Sequence, residues 1–207
     1  MPRGHANDEE ARLELHGQSL LQGAVDWDVL HHWWLNHNGR ANTPNWDLAS
    51  TCSIKGRRGL VLVEAKAHVE ELDVAGKSLE PDASHHSQSN HVRIGWAIEE
   101  ASRALARMVP GVCLSRDSHY QLANRVAFAW KLATMGLDVV LVYMGFTGDS
   151  AVGVQLRDQR HWRQTMEDHA RGILPPAFFD QEIACGLASM QMLVRSRPCG
   201  PRPGLSN

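Results

Sequence analysis

The sequence predicts an α/β fold in which a central mixed sheet of four to five strands is flanked by helices, with extra helices near both ends of the chain. Two runs of strand length, Leu60–Val63 and Val139–Val142, are continuously apolar and rich in β-branched residues, which indicates buried strands. Between these runs, apolar residues recur at helical spacing. At 207 residues the chain is long enough for one domain with a sizeable core, and we expect that domain to span residues 1–196.

The overall composition limits the class of protein. The formal net charge is −2, so the chain has no global basic field, although an enzyme with one local basic face remains compatible with this value. No apolar run approaches the roughly 20 residues that span a bilayer, and the first ten residues lack the apolar core of a secretory signal. We therefore expect a cytoplasmic protein with no membrane partner. The four cysteines form no CxxC pair, which argues against a zinc site or a disulfide framework.

The first third of the chain is expected to contribute two helices and a β-hairpin. The spacing of leucines indicates a helix over about residues 8–22, and Asp26 is a suitable N-cap for a second, tryptophan-rich helix. Trp46–Ile54 is expected to be a strand and Lys55–Gly59 a positively charged hairpin loop. The second strand of the hairpin is then the apolar run that ends in Glu64-Ala65-Lys66.

The middle of the chain is expected to form a polar loop followed by two helices. Residues 68–88 combine charged residues, glycine and proline, which is typical of a loop or an insertion. The next apolar residues follow helical spacing over about 90–108 and again from a cap at Asp117 or Ser118 to Gly136.

The last part of the chain is expected to begin with the most buried strand. Leu137–Phe146 is apolar almost throughout, which predicts burial on both sides and a central place in the sheet. A helix is expected over about 157–172, and 178–194 is compatible with a helix or a strand. Residues 197–207 are rich in proline and glycine, so we expect a disordered tail there.

The end of the first buried strand carries an unusual pair of charges. Glu64 and Lys66 lie two positions apart, so an extended chain projects both from one face. Burying them is costly unless the charges neutralise each other or hold a metal ion. With the hairpin turn centred near Arg57, Asp47 would lie almost level with Lys66 and be a near-diagonal neighbour of Glu64. This pattern predicts a site for a hard divalent cation, and its alternative is an ordinary salt bridge.

These residues resemble the core motif of the PD-(D/E)xK phosphodiesterase superfamily, which has the restriction-endonuclease-like fold. The matching residues are Asp47, with Pro44 three positions before it, and Glu64-Ala65-Lys66. The segment Gln121-Leu122-Ala123-Asn124-Arg125 is similar to the helix motif of the exonuclease branch, since Gln121 and Arg125 share one helix face. The resemblance covers about residues 40–148 and implies a restriction-endonuclease-like core.

The resemblance implies a Mg²⁺-dependent nuclease that acts on DNA. Asp47 and Glu64, with the carbonyl of Ala65, would be the ligands of Mg²⁺ or Mn²⁺. Lys66 would orient or deprotonate the attacking water and stabilise charge in the transition state. Gln121 would hold a water or a phosphate oxygen, and its alternative is an amide on the helix surface.

Other charged residues are weaker candidates. Arg125 is a candidate phosphate contact, and its alternative is an ion pair with a local acid. Arg57 and Arg58 in the hairpin are candidate nucleic-acid contacts, although a solvated turn would explain them equally simply. Glu14 is a candidate additional acid on the first helix, with Glu10 as its competitor and a solvated helix face as the alternative.

A second functional class stays open on the sequence alone. The chain could be a catalytically inactive member that keeps the fold as a module binding nucleic acid or a protein partner. The intact set of Asp47, Glu64 and Lys66 argues against this class, and the weak net charge argues mildly for it. The sequence does not distinguish DNA from RNA, or endonuclease from exonuclease activity, and it leaves a homodimer open.

Overall fold

The protein has an α/β fold, with a mixed five-stranded sheet and flanking helices. The structure, a computed structural model, describes residues 10–21, 23–37, 42–148 and 153–199. The helices are α1 (Leu13–Leu21), α2 (Trp27–Trp34), α3 (His85–Met108), α4 (Tyr120–Thr134) and α5 (Gln159–His169). The strands are β1 (Ala11–Arg12), β2 (Asn45–Trp46), β3 (Leu48–Ile54), β4 (Arg57–Lys66), β5 (Asp138–Thr147), β6 (Glu182–Ala184) and β7 (Ser189–Pro198). No helix in these ranges is long and apolar enough to cross a membrane.

The strand order in the main sheet is β3-β4-β5-β7-β6. The three inner strands β4, β5 and β7 run parallel, and β3 and β6 pair antiparallel at the two edges. Helices α3 and α4 connect β4 to β5, and α5 lies between β5 and β7 in the chain. The carboxyl ends of the three parallel strands therefore meet at one edge of the sheet, where binding sites of open α/β sheets are commonly found.

The loop between β3 and β4 contains two residues, whereas the sequence predicts the five residues Lys55–Gly59. Lys55 and Gly56 occupy the turn with φ values of 51° and 77°, the positive values of a two-residue type I′ turn. Ile54 consequently pairs with Arg57, and Leu48 pairs with Val63. The ladder ends at this pair, so Asp47 lies one residue beyond it. Its side chain reaches β4 through the hydrogen bond that Asp47 Oδ2 accepts from the Ala65 backbone N–H at 2.6 Å.

The expected strand Trp46–Ile54 is interrupted at Asp47. Asn45 and Trp46 pair with β1 in a separate two-stranded ladder, and β3 starts only at Leu48. The Trp46 side chain is completely buried, which fixes the chain on one side of the interruption. Asp47 thus occupies a bend between two strands, where its side chain is free to turn towards the end of β4.

Helices α4 and α5 pack on one face of the sheet, which we call the inner face. Arg125 of α4 contacts Glu64 of β4, and the indole of Trp162 in α5 lies against Gly145, where a Cβ atom would approach it to 2.7 Å. The central position expected for β5 is confirmed. Its expected burial on both sides is wrong, because Phe146, on the opposite face, is 37% exposed.

The last part of the described chain ends in strands rather than in a helix. The segment 178–194 contains β6 and the start of β7, and β7 continues to Pro198. The ordered region thus extends two residues beyond the domain end expected at 196, because Arg197 and Pro198 pair with Phe146 and Thr147. Residues 200–207 of the expected tail lie outside the described residues.

Candidate active site

The candidate site lies at the carboxyl end of β4, on the inner face of the sheet. Glu64 and Lys66 are buried there, with 3% and 6% of their surfaces exposed. Apolar strand residues precede them, and α4 covers them from the inner face. The sequence-based expectation that this pair is buried is confirmed.

Both carboxylate oxygens of Glu64 are bound by cations. Lys66 Nζ donates to Oε1 at 2.8 Å, and Arg125 Nε donates to Oε2 at 2.8 Å. The Arg125 guanidinium also donates to Asn124 Oδ1 at 2.8 Å and lies 4.9 Å from the centre of the Trp46 ring. Arg125 is 7% exposed, so its guanidinium is held by an acid, an amide and an aromatic ring. The ion pair with a local acid, the alternative for Arg125 in the sequence, is present.

Asp47 faces the same strand end without a cation of its own among the described residues. Its Oδ2 accepts a hydrogen bond from the Ala65 backbone N–H at 2.6 Å. Burial raises the pKa of the Asp47 carboxyl, and the nearby Glu64 charge adds to this, whereas the Ala65 hydrogen bond and the Lys66 charge act in the opposite direction. Asp47, Glu64, Lys66 and Arg125 together sum to zero formal charge. The carboxylate of Asp47 is therefore the acid in this group that a further cation would stabilise most.

Tyr143 is a site residue that the sequence analysis missed. It pairs with Glu64 across β4 and β5, so the two side chains share the inner face. Tyr143 is 1% exposed, and its hydroxyl has no hydrogen-bond partner among the described residues. Burial and the Glu64 charge raise the pKa of the phenol, so at neutral pH it is a neutral group able to donate a hydrogen bond. Buried hydroxyls without partners are rare, and each calls for an explanation such as a bound ligand.

The sequence gives only a weak indication that Tyr143 belongs to the site. Leu137–Phe146 looks like a uniform hydrophobic strand, and a tyrosine fits that pattern as an aromatic core residue. Only the pairing register places Tyr143 beside Glu64. A polar atom near the end of an otherwise apolar strand is the feature that could have drawn attention to it.

Two histidines form a second group near Lys66. The rings of His119, immediately before α4, and His169, at the end of α5, are 5.0 Å apart between their centres. Burial lowers the pKa of His169 to about 4, with further contributions from His119 and Lys66. His169 is therefore neutral at pH 7. His119 adopts a left-handed backbone conformation with φ 47°, which is uncommon for a residue other than glycine. The sequence analysis did not single out either histidine.

The structure places the other candidates in three different settings. Gln121 lies one helical turn before Arg125, half-buried, and its side chain makes no hydrogen bond within the described part of the chain. Glu14 is in α1, but its side chain lies outside the described residues. Its competitor Glu10 accepts a hydrogen bond from Asn45 Nδ2 at 3.0 Å and contributes to the raised pKa of Asp47. Glu10 is thus the N-terminal acid that the structure brings near the site.

The hairpin arginines lie at the other end of β4 and are not brought together with the site. Arg57 is seven residues from Glu64 along the strand, or about 23 Å at 3.3 Å per residue. It forms an ion pair with the buried Asp138 at 2.6 Å, and Arg58 Nη2 donates to the Leu20 carbonyl at 2.6 Å. Arg57 thus connects β4 to β5, and Arg58 connects β4 to α1. Both side chains have partners within the protein, unlike those of a fully solvated turn.

The donor set at the strand end fits a hard divalent cation only in part. Asp47 and Glu64 place two carboxylates at one strand end, and carboxylate and carbonyl oxygens are the ligands that Mg²⁺ prefers. Within the described ranges, however, no group of three or more His, Cys, Asp or Glu side chains is arranged to hold a metal. Glu64 would also have to release one of its two cations before it could bind a metal ion. The residues therefore fit a two-carboxylate site whose remaining ligands would be water and substrate.

No family model, curated protein or solved structure matches this chain. The function must therefore be argued from the geometry of the site itself.

Proposed function

We propose that this protein is a Mg²⁺-dependent phosphodiesterase, a nuclease that acts on DNA, with the restriction-endonuclease-like core that its motif resembles. The observation that carries the proposal is that the Asp47 carboxylate, which is bound to the Ala65 N–H, lies at the same end of β4 as Glu64 and Lys66. This arrangement supports the proposal because phosphodiester hydrolysis needs two kinds of group at one point. Carboxylates hold the metal ion, and a cation beside them assists the attacking water and the phosphate.

Each side chain has a role that follows from its position. Asp47 and Glu64 would hold the ion together with the Ala65 carbonyl, and a bound Mg²⁺ or Mn²⁺ supplies charge neutralisation on the phosphate and acidifies water. Lys66 would orient the attacking water and balance the charge on the phosphate. Arg125, once released from Glu64, would contact a phosphate oxygen in the bidentate manner typical of guanidinium groups. Gln121, one turn before it, would hold a water or a second phosphate oxygen.

The charge balance indicates that metal and substrate bind together. The four charged groups of the site already sum to zero, so a divalent ion alone would leave an excess of two positive charges in a largely buried place, which is unfavourable. A phosphodiester group carries the negative charge that reduces this excess and offers Arg125 a new partner. We therefore expect weak metal binding in the absence of DNA and tighter binding in its presence.

A non-catalytic module is the second candidate, and one observation favours it. Because Lys66 and Arg125 occupy both oxygens of Glu64, the group is also a complete salt-bridge network without a metal. Such a protein would bind nucleic acid or a protein partner and would need no divalent ion. Binding titrations at several salt concentrations separate the two, because a pure nucleic-acid binder would show a steep salt dependence that Mg²⁺ does not enhance.

A cleavage assay tests the proposed activity. Purified protein is incubated with end-labelled single-stranded DNA, double-stranded DNA and RNA, in Mg²⁺, in Mn²⁺ and in EDTA. We expect metal-dependent cleavage of at least one form of DNA and none in EDTA. An absence of cleavage for every nucleic acid in both metals would contradict the catalytic proposal and leave the binding module.

Replacing Tyr143 with phenylalanine should affect stability and activity in opposite directions. The hydroxyl is buried without a partner, so its removal should raise the free energy of unfolding by about 1–2 kcal/mol. If the hydroxyl donates to a metal-bound water or to the phosphate, cleavage should fall by about tenfold, equivalent to the loss of one hydrogen bond. Urea unfolding and cleavage rates measure both quantities. A decrease in stability would show instead that the hydroxyl has a partner within the protein.

A further inference from the structure

The face of the sheet opposite α4 and α5, which we call the outer face, is apolar and open in the described structure. Side chains alternate along each strand, and Arg57 and Asp138 form an ion pair on this face where β4 and β5 begin. From Val61 and Val140 onwards, the side chains of the two strands on this face are apolar. They are Val61, Val63, Ala65, Val140, Val142, Met144 and Phe146. Phe146 is 37% exposed, and Val61, Val63, Val140 and Met144 are partly exposed, whereas Val142 is 8% exposed and the neighbours on the inner face are buried.

An open face of this composition is unusual for parallel strands. Parallel strands are generally covered on both faces, and sheets with one solvated face normally show polar residues there. Here the two central strands β4 and β5 carry no polar side chain on the outer face between Val61 and Phe146. The sequence of β5 is typical of burial on both sides, and the described structure supplies cover on one side alone. The described residues therefore leave this face of β4 and β5 without a covering layer.

The segments of the chain outside the described residues are poor candidates for this cover. Residues 1–9, 38–41, 149–152 and 200–207 contain few large apolar side chains. These are Met1, Val152 and Leu205. Three such residues are too few to match the seven apolar side chains of the two central strands.

The rim of the outer face has the composition of a protein interface. The flanking strands add polar side chains at the same alternation, Ser50 on β3 and Gln191 and Arg195 on β7, together with the apolar Leu48 and Leu193. An apolar centre within a polar rim is the usual anatomy of a protein–protein contact. The centre carries no basic residue, so it offers nothing to a phosphate backbone.

We propose that a second copy of this chain covers the outer face and forms a two-fold homodimer. Four strands at about 4.8 Å spacing and about nine residues of 3.3 Å each give a projected area of roughly 600 Å². A corrugated surface has a larger accessible area than its projection, so this value approaches the roughly 800 Å² per partner of a standard interface. The apolar centre of this face carries no charge, so two copies can meet there in a two-fold contact without opposing like charges. The proposal does not depend on the proposed nuclease activity, because the candidate active site is on the inner face.

Sedimentation equilibrium on the full chain tests the dimer. The wild-type protein should have twice the 23.0 kDa mass of the chain, and Val140→Arg, at the centre of the face, should be monomeric. Val92→Arg is the matched control, because Val92 is 44% exposed on α3, away from the sheet, and this variant should stay dimeric. A monomeric wild type at up to about 100 μM, far above the Kd of a stable standard-size interface, would overturn the proposal. A dimeric, folded Val140→Arg would overturn it as well.

A second measurement decides the question if Val140→Arg does not fold. Cys52 pairs with Gly59 and is partly exposed at the edge of the outer face, whereas Cys113 and Cys199 are exposed elsewhere. In the wild-type protein, labelling of Cys52 by a maleimide should slow by at least about tenfold as the protein concentration rises through the dimer Kd. The labelling of Cys113 should not change. Equal rates for Cys52 at all concentrations would contradict a dimer through this face.

Discussion

Replacing Lys66 with methionine should reduce the single-turnover rate of metal-dependent DNA cleavage by about 10²–10³-fold. Lys66 is 6% exposed and its ammonium lies 2.8 Å from Glu64, so it is the cation closest to the carboxylates that would hold the metal. Methionine keeps most of the volume of the buried side chain but cannot orient a water or balance the charge on a phosphate. The rate is measured with saturating protein and labelled DNA in Mg²⁺.

The fold should survive this change, because Glu64 keeps its second ion pair with Arg125. Lys55→Met is a matched control, since Lys55 lies in the turn at the opposite end of the same hairpin and is exposed to solvent. This control should cleave DNA at the wild-type rate. If Lys66→Met kept the wild-type rate with an intact fold, Lys66 would have no part in the chemistry and the charge pair would be purely structural.

Replacing Glu64 with glutamine should lower the free energy of unfolding by about 3–5 kcal/mol. Glu64 is the shared acid of two buried cations, each 2.8 Å from one of its oxygens. The amide leaves Lys66 and Arg125 buried without an opposite charge, and its NH₂ group points a donor at one of them. Asp47 moderates this cost, because the loss of the Glu64 charge also removes a repulsion. Urea unfolding of the wild type and the variant measures the difference.

Two further variants distinguish the effect of the buried ion pairs of Glu64 on stability from the effect of an exposed ion pair. Glu99→Gln removes the acid of an exposed ion pair with Arg103 on α3 and should change stability by no more than about 0.5 kcal/mol. In the double variant Glu64→Gln with Arg125→Met, one uncompensated cation is also removed, so the cost should be less than the sum of the two single changes. If Glu64→Gln were as mild as Glu99→Gln, Glu64 would not be the buried centre of the site.

The order of the elements and the identity of the strand-end charges could be predicted because they depend on local patterns. Leu60–Val63 forms a strand as expected, with Leu60 and Leu62 buried and Val61 and Val63 partly exposed, and Glu64 and Lys66 end it on one face. The pairing register could not be predicted in the same way. Lys55-Gly56, Arg57 and Gly59 are all compatible with a turn, and only the positive φ values of Lys55 and Gly56 decide between them. A shift of this kind changes which residue faces Glu64.

The contacts between residues far apart in the chain could not be predicted from the sequence. Arg57 lies in a stretch whose sequence is typical of a solvated hairpin loop. In the structure it neutralises Asp138, which lies 81 positions further along the chain. Arg125 and Glu64 are 61 residues apart, and their pairing depends on how α4 crosses the sheet. The place of Tyr143 in the site also depends on a distant part of the chain, because the pairing of β5 with β4 sets it beside Glu64.

The most direct test of the divalent-metal site is diffraction from a crystal of the protein with a DNA fragment and Mn²⁺, recorded with manganese anomalous scattering. We expect an anomalous peak between Asp47 and Glu64, at about 2.1 Å from their oxygens, the distance that small octahedral cations adopt. We also expect Arg125 to have left Glu64 for the phosphate. A complex with DNA bound, no peak at this strand end, and Glu64 still held by both Lys66 and Arg125 would contradict the metal site.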